Sequence, residues 1–466
     1  MKAGRKIATM ALRGRRARIP RLWRGVASKS SDTIFALSTA PGRAGVAVMR
    51  ISGPGADAAL TALTRAALPS PREAVVRRLF HGYALLDEAM VLRLPGPRSF
   101  TGEDVVEIMP HGSPAVVEAV AEALLSAGLR QAEPGEFTRR AFLNGRMDLL
   151  EVEGLADLID SETEAQRVQA LRQMGGGLSA RAEAWKESLL DALAQVEGEI
   201  DFPDEHDVPD RLSQDAGPGL KALAKDLEDT LDKAERGERV REGLRVAVIG
   251  APNAGKSSFI NWLAGREAAI VSDIPGTTRD VVEVSLVLSG LPVRVADTAG
   301  LRETDDVVEA EGVRRARLSA DEADIRILLI DGSEPKPDGQ EALRDGDLVL
   351  VNKSDLGGQP PALPQRSFSI SLYDKTGLED VMDWLVSEVS RRYAPTRDPG
   401  LTRARHKSCV SRANESLDRA IRNLDIAPEL AGEDLRRALL AIEELSGRAD
   451  MDAVLDRVFS RFCIGK

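Results

Sequence analysis

Gly250-Ala-Pro-Asn-Ala-Gly255-Lys256-Ser257 follows an apolar run, Leu244–Ile249, and precedes a helical pattern carrying Phe259, Ile260 and Leu263. Strand, glycine-rich turn and helix in that order predict a phosphate-binding loop. Its glycines let successive backbone N–H groups face the phosphates at a helix N-terminus, where the dipole also favours anions. Asn253, Ala254 and Gly255 supply the turn, Lys256 reaches the β- and γ-phosphates, the Ser257 hydroxyl holds Mg²⁺, and Ser258 completes the nucleotide-binding run.

Two further tetrapeptides follow at the ends of apolar strands. Asp297-Thr298-Ala299-Gly300 begins 41 residues after Lys256, bringing a carboxylate near the magnesium and a glycine near the γ-phosphate. Asn352-Lys353-Ser354-Asp355 places a carboxylate where it accepts both guanine N1–H and the 2-amino group, bonds that adenine does not offer; the site therefore rejects ATP. The three motifs in this order predict GTP binding. Between the first two runs Ser272-Asp273-Ile274-Pro275-Gly276-Thr277-Thr278, in which Thr278 completes the Mg²⁺ shell. Asn253 offers a neutral carbonyl oxygen suited to a weakly hydrated monovalent cation, or else holds the loop by hydrogen bonds. After Gly300 comes Leu301, so the nearest polar residue able to orient the attacking water is Glu303.

Outward from this core, strand patterns at Leu244–Ile249, Val281–Leu288, Val293–Ala296, Ile325–Ile330, Leu348–Val351 and Phe368–Ile370 alternate with helices, and Ser289-Gly290 predicts one hairpin. This is a mixed, mostly parallel α/β domain over 243–395. It interrupts helical periodicity at 149–242 and 396–466, so we expect it to be inserted in an all-α domain. A loop near Asp201–Pro218 carries PDEHDVP and Gly217-Pro218-Gly219. Stripes at Leu435, Leu439, Ile442, Leu445 and at Val454, Leu455, Val458, Phe459, Phe462 mark the final helices. Residues 32–148 hold short strands at Ile34–Leu37, Gly45–Ile51 and Val105–Ile108 with a helix near Ala115–Leu125, an α+β domain.

The chain has 466 residues and a formal charge of −11. Residues 1–31 carry ten Lys/Arg and no acid, which leaves −21 for the rest and excludes a broad non-specific nucleic-acid surface. That basic extension reads as a transit peptide, an RNA-binding arm or translation from an upstream start. Cys409 and Cys463 make no disulfide framework, so a reducing, cytoplasmic setting is expected, mitochondrial if the extension is a transit peptide. His81, His111, His206 and His406 share no ligand spacing and read as structural or solvent-exposed. No apolar run is long enough to span a membrane.

Beyond the GTPase motifs, the chain resembles the tRNA modification GTPase family MnmE (TrmE) from Asp32 to Lys466. The resemblance rests on Pro41-Gly-Arg-Ala-Gly45, Arg50-Ile-Ser-Gly53, Ser99-Phe-Thr-Gly-Glu-Asp104, Pro134-Gly-Glu-Phe137, Arg140-Ala-Phe-Leu-Asn144, Ile200-Asp-Phe-Pro203, Gly276-Thr-Thr-Arg-Asp280 and the terminal Phe462-Cys-Ile-Gly-Lys466. It implies addition of an aminomethyl-type group, aminomethyl or carboxymethylaminomethyl, at C5 of the tRNA wobble uridine, U34. An FAD-containing partner, MnmG, acts with the GTPase in a heterotetramer. It also implies a homodimer joined through the N-terminal domain, and a 5,10-methylene- or 5-formyl-tetrahydrofolate site at Arg50, Glu107, Arg146 and Lys466. Potassium activation is implied through Asn253, Ser272, Ile274 and Thr277, with Glu303 as the catalytic acid.

Cys463 lies in this setting either as a reactive thiol or as a packing residue. The family's guanine-supporting loop departs here, reading Ser371-Leu-Tyr-Asp-Lys-Thr-Gly377, and Arg146 stands where a lysine is common. A ribosome-assembly or RNA-binding GTPase that performs no modification accounts equally for 243–395, but not for the N-terminal and C-terminal motifs.

Overall fold

The computed structural model describes residues 32–201, 212–266, 269–270, 283–297, 320–333, 343–357, 366–393 and 400–448, with isolated positions between 455 and 465. They form two compact units. One runs to Val152 and includes the segment from Asp450 onward; the other is Glu153–Ala449.

In the first unit β1 (Ile34–Leu37), β2 (Met49–Ser52), β3 (Ala74–His81), β4 (Ala84–Leu94), β5 (Val105–Met109) and β6 (Arg130–Gln131) form a sheet of order β3-β4-β5-β2-β1-β6. Only β1 and β6 are parallel. Helices α1 (Ala56–Thr64) and α2 (Pro114–Ser126) supply Leu60, Leu63, Val120 and Leu124, which pack on Phe35, Met49, Ile51, Val106 and Ile108. In β3 burial alternates up to Leu79, the one fully buried residue of that strand, while the apolar residues Val75, Val76, Leu79 and Phe80 do not alternate in sequence. The strand expected at Gly45–Ile51 begins at Met49. The residues before it bond irregularly, Ser38 N–H to Val48 O and Ala47 N–H to Pro110 O, rather than in a ladder. Helix α3 (Glu136–Leu143) buries Phe137 and Ala141.

The chain end beyond Asp450 belongs to this unit. The rings of Phe142 and Phe459 lie 6.3 Å apart, and Phe459 and Phe462 6.2 Å apart. Gly135, with φ +69°, faces the Phe459 carbonyl where a Cβ has no room. The Ser38 hydroxyl donates to the Gly465 carbonyl at 2.9 Å. Helical periodicity alone groups this stretch with the preceding helices; the aromatic contacts that give it a different neighbour are long-range.

In the second unit, α4 (Leu149–Ile159, from Glu153 onward), α5 (Glu164–Met174), α6 (Gly177–Asp201), α7 (Leu212–Asp232) and α8 (Ala234–Glu242) precede the inserted sheet. The bundle is completed after the sheet. The loop expected to reach Pro218 is helical from Leu212, with Pro218 inside α7. The reason is packing: Ala216, Leu220, Leu223, Leu227 and Thr230 form one buried stripe through that turn, while Pro218 and Gly219 face solvent. Burial of a continuous apolar face outweighs the roughly 3 kcal/mol penalty of an interior proline.

The inserted sheet contains β7 (Leu244–Ile249), β8 (Ala269–Ile270), β9 (Glu283–Leu288), β10 (Leu291–Asp297), β11 (Ile325–Asp331), β12 (Leu348–Asn352) and β13 (Arg366–Ser369), ordered β13-β12-β11-β7-β10-β9-β8. The strands are parallel from β13 to β10, and the β9–β10 hairpin turns at Ser289-Gly290, as the sequence predicts. Helices α9 (Lys256–Ala264) and α10 (Leu378–Tyr393) cover one face with Phe259, Leu263, Val381 and Leu385. The chain then re-enters the bundle through α11 (Ala404–Asn423) and α12 (Pro428–Leu445). Its two crossings run side by side. A Cβ on Gly237 would lie 2.5 Å from the Leu401 carbonyl, and Arg241 Nε donates to Thr402 O at 2.8 Å. The expected fold, a P-loop α/β domain inserted in an all-α domain and preceded by an α+β domain, is the one observed.

Candidate functional site

The phosphate loop links β7 to α9. Gly250 (φ +141°) and Gly255 (φ +107°) adopt backbone conformations that L side chains rarely reach, and a Cβ on Gly255 would lie 2.5 Å from Asn352 Nδ2. Asn253 is also left-handed, at φ +64°, which asparagine tolerates better than most residues. Its side chain is exposed at the loop's apex, and Ala254 beneath it is buried. Lys256 Nζ donates to Gly250 O at 2.8 Å and Ala251 O at 2.9 Å, so the ammonium lies over the loop it is expected to serve. Ser257 and Ser258 occupy the first turn of α9.

Asn352 joins three segments. Its Nδ2 donates to Ala254 O at 2.8 Å and its Oδ1 accepts Leu372 N–H at 3.2 Å. Asp355 is in a short helical turn whose start, Ser354, donates its N–H to Ile370 O at 3.1 Å. The atypical loop after Ser371 closes on itself: Ser371 N–H bonds Thr376 O, Ser371 Oγ accepts Asp374 N–H, and Asp374 accepts Thr376 N–H at 3.0 Å. Leu372 reaches the phosphate loop, with Cδ1 3.0 Å from where a Gly255 Cβ would lie. Among the described residues, the loop and the Asn352–Asp355 motif thus meet at one end of the parallel sheet. Asp297 ends β10 beside Val248 of β7. Ser272, Asp273, Ile274, Pro275, Gly276, Thr277, Thr278, Thr298, Ala299, Gly300, Glu303, Cys463 and Lys466 lie outside the described residues.

In the first unit Arg50 and Glu107 are register partners across β2 and β5, joined by Nε–Oε1 and NH2–Oε1 contacts of 3.0 and 2.9 Å. The Arg50 guanidinium stands 5.2 Å from the Phe100 ring centre and 5.8 Å from that of Phe137. Arg146 passes Gly102, in the turn that follows Phe100. That turn is held from behind. Ser52 Oγ meets Thr101 Oγ1 at 2.7 Å and donates to Glu103 at 2.8 Å, while buried Arg140 bonds Glu103, Asp32 and Glu136. Burial pushes the Glu136 carboxyl up, but Arg130 and Arg140 bring it net below its ordinary range. The two rings around Arg50 and the Arg140 network are not local in sequence, because they join residues from the segment before β1, from β2, from the 99–104 turn and from α3.

The fold and the order of its motifs along the parallel sheet define a P-loop GTPase. Two family models match the chain: the MnmE helical domain over residues 149–463 and the GTP-binding protein TrmE N-terminus over 33–146. The tRNA modification GTPase MnmE of Maricaulis maris is 52% identical across 94% of this chain and all of its own length. Those of Phenylobacterium zucineum and Caulobacter vibrioides are 52% and 50% identical over the same shares. The chain belongs to the MnmE family: it is a GTP hydrolase of tRNA modification that binds GTP and acts on tRNA. No helix among the described residues is long and apolar enough to cross a membrane.

Proposed function

We propose that this GTPase is potassium-activated and, with an FAD-dependent MnmG-like partner, adds an aminomethyl-type group to C5 of the tRNA wobble uridine using a tetrahydrofolate carbon. The observation that carries this reading is the Arg50–Glu107 pair. The pair sets a 21%-exposed guanidinium and a carboxylate side by side in a unit separate from the nucleotide loop, which favours a second ligand site over a pure nucleotide switch. Folate chemistry suits the donor set. Its glutamyl carboxylates call for cations, and its pterin edge presents an amide and an amino group that a carboxylate binds in two places. Arg50, Glu107, Arg146 and Lys466 would hold it, and bound folate supplies the one-carbon unit.

In the nucleotide pocket, backbone N–H groups of 253–257 and the Lys256 ammonium neutralise the phosphates. Ser257 and Thr278 would hold Mg²⁺, and Asp297, Thr298, Ala299 and Gly300 would serve the metal and the γ-phosphate. Asn253, Ser272, Ile274 and Thr277 would hold K⁺, which when bound would supply positive charge to the phosphates where other GTPases use an arginine. Asp273, Pro275 and Gly276 would complete the same binding run, Glu303 would orient the attacking water, and Asn352, Lys353, Asp355 and Ser371 would hold guanine. The protein acts as a homodimer in the cytoplasm.

The test is calorimetric titration of the full chain with 5-formyltetrahydrofolate beside Arg50→Ala. Saturable binding that the variant loses supports the carbon-donor reading. No binding by folded, GTP-hydrolysing protein refutes it.

A further inference from the structure

Asp331, the last residue of β11, belongs to none of the GTPase motifs, yet it points at one of them. It is the register partner of Asn352. Its Oδ2 forms an ion pair with the Lys353 ammonium, while its Oδ1 accepts the Ser333 N–H at 2.9 Å and the Ser333 hydroxyl at 2.6 Å. Only 11% of the Asp331 side chain is exposed, against 35% for Lys353. Burial pushes the Asp331 carboxyl up, and the Lys353 and Ser333 bonds overcome this to hold it net below its ordinary range. Gly332 N–H donates to Asn352 O at 2.8 Å, so the β11 exit is fastened to the same turn.

Lys353 has φ +63°, a conformation that an unbranched residue enters at a cost, and one that turns the side chain away from the strand it follows. A long flexible side chain in that position has many rotamers, and fixing it needs a partner. We infer that Asp331 is a positioning residue for guanine: by holding the Lys353 ammonium, it lays the methylene stem of Lys353 along the face of the base that Asp355 reads at the edge. The inference rests on the GTP-site reading above and deepens it. Asp331 touches no nucleotide; it removes the entropy that Lys353 would otherwise lose on binding.

The test is Asp331→Asn, which keeps the carbonyl for Ser333 and removes the charge, measured by fluorescent GDP and IDP binding and by GTP turnover. The expected result is an increase in both dissociation constants by the same factor, about fivefold, the scale of one half-buried ion pair. KM rises in step and kcat is unchanged. IDP lacks the 2-amino group, so equal loss separates stem packing from edge reading by Asp355. In a Lys353→Met background Asp331→Asn should add nothing. Unchanged GDP affinity in Asp331→Asn, or an equal loss in the Lys353→Met background, overturns the inference. A merely structural role would lower the melting temperature of nucleotide-free protein and kcat together. Asp355→Asn separates the two levels. If it gains xanthosine diphosphate binding and Lys353→Met weakens GDP while Asp331→Asn does nothing, only the positioning role fails. If neither alters nucleotide affinity, the base site and the inference fall together.

Discussion

Replacing Glu153 by glutamine should strongly destabilise the helical bundle. Glu153, on α4, is 2% exposed and is the anion to which the returning chain is fastened. Arg405 grips it through Nε and NH2 at 3.2 and 2.8 Å, and His406 Nε2 meets it at 2.6 Å. His406 Nδ1 accepts the Thr402 N–H, so its proton is on Nε2 and the ring donates to the carboxylate while neutral. Burial pushes His406 down; it also pushes Glu153 up, but the His406 bond and the Arg405 charge hold Glu153 well below its ordinary range.

Glutamine keeps the shape and removes the charge, leaving the partly buried Arg405 without its anion. Breaking such a pair costs about 3–5 kcal/mol. At about 2–4 °C per kcal/mol for a large domain, the calorimetric transition of the bundle should fall by roughly 10 °C at pH 7. The sign of the pH dependence follows from both groups binding fewer protons folded than unfolded. The Glu153 contribution is complete above the unfolded value of 4.5 and is lost as pH falls toward the lower folded value. That of His406 fades below its unfolded value of 6.5. The gap between wild type and Glu153→Gln should therefore narrow below about pH 4.5. A fall under about 2 °C at pH 7, or a gap that does not close on acidification, would refute the assignment.

Pro218→Ala restores a helical N–H on the exposed side of α7 and should stabilise the protein by about 1–3 kcal/mol, measured by denaturant unfolding; destabilisation would mean that the proline shapes the turn. Gly135→Ala combines a left-handed φ with a clash at the Phe459 carbonyl, and should release the chain end, read as faster proteolysis after residue 450 with GTP turnover intact. For potassium, GTP turnover should be on the order of 10²-fold faster in KCl than in NaCl, and Asn253→Ala should erase the difference. Equal rates in both salts would remove the cation from the mechanism.

The backbone settings of the phosphate loop and of Asn352–Asp355 are legible in the sequence because they are local. Gly250–Ser257 must follow a strand and open a helix, and Asn352–Asp355 must end another, so each motif carries its own structural context. The α/β alternation, the insertion and the β9–β10 hairpin are likewise written as periodicity and turn residues. Long-range packing decided the rest. Pro218 and its flanking glycines read as a loop, yet the stripe from Ala216 to Thr230 buries against neighbouring helices and keeps them helical. Burial in β3 alternates up to Leu79, although the apolar residues of that strand do not alternate in sequence. Asp331 is one acid among many until β11 and β12 pair and bring it to Lys353. Arg50 is a strand-end charge until Glu107, Phe100 and Phe137 arrive from three other segments. Local sequence fixes which backbone conformations are cheap; only the closed tertiary structure fixes which distant side chains share a desolvated space, and pairing strengths depend on that.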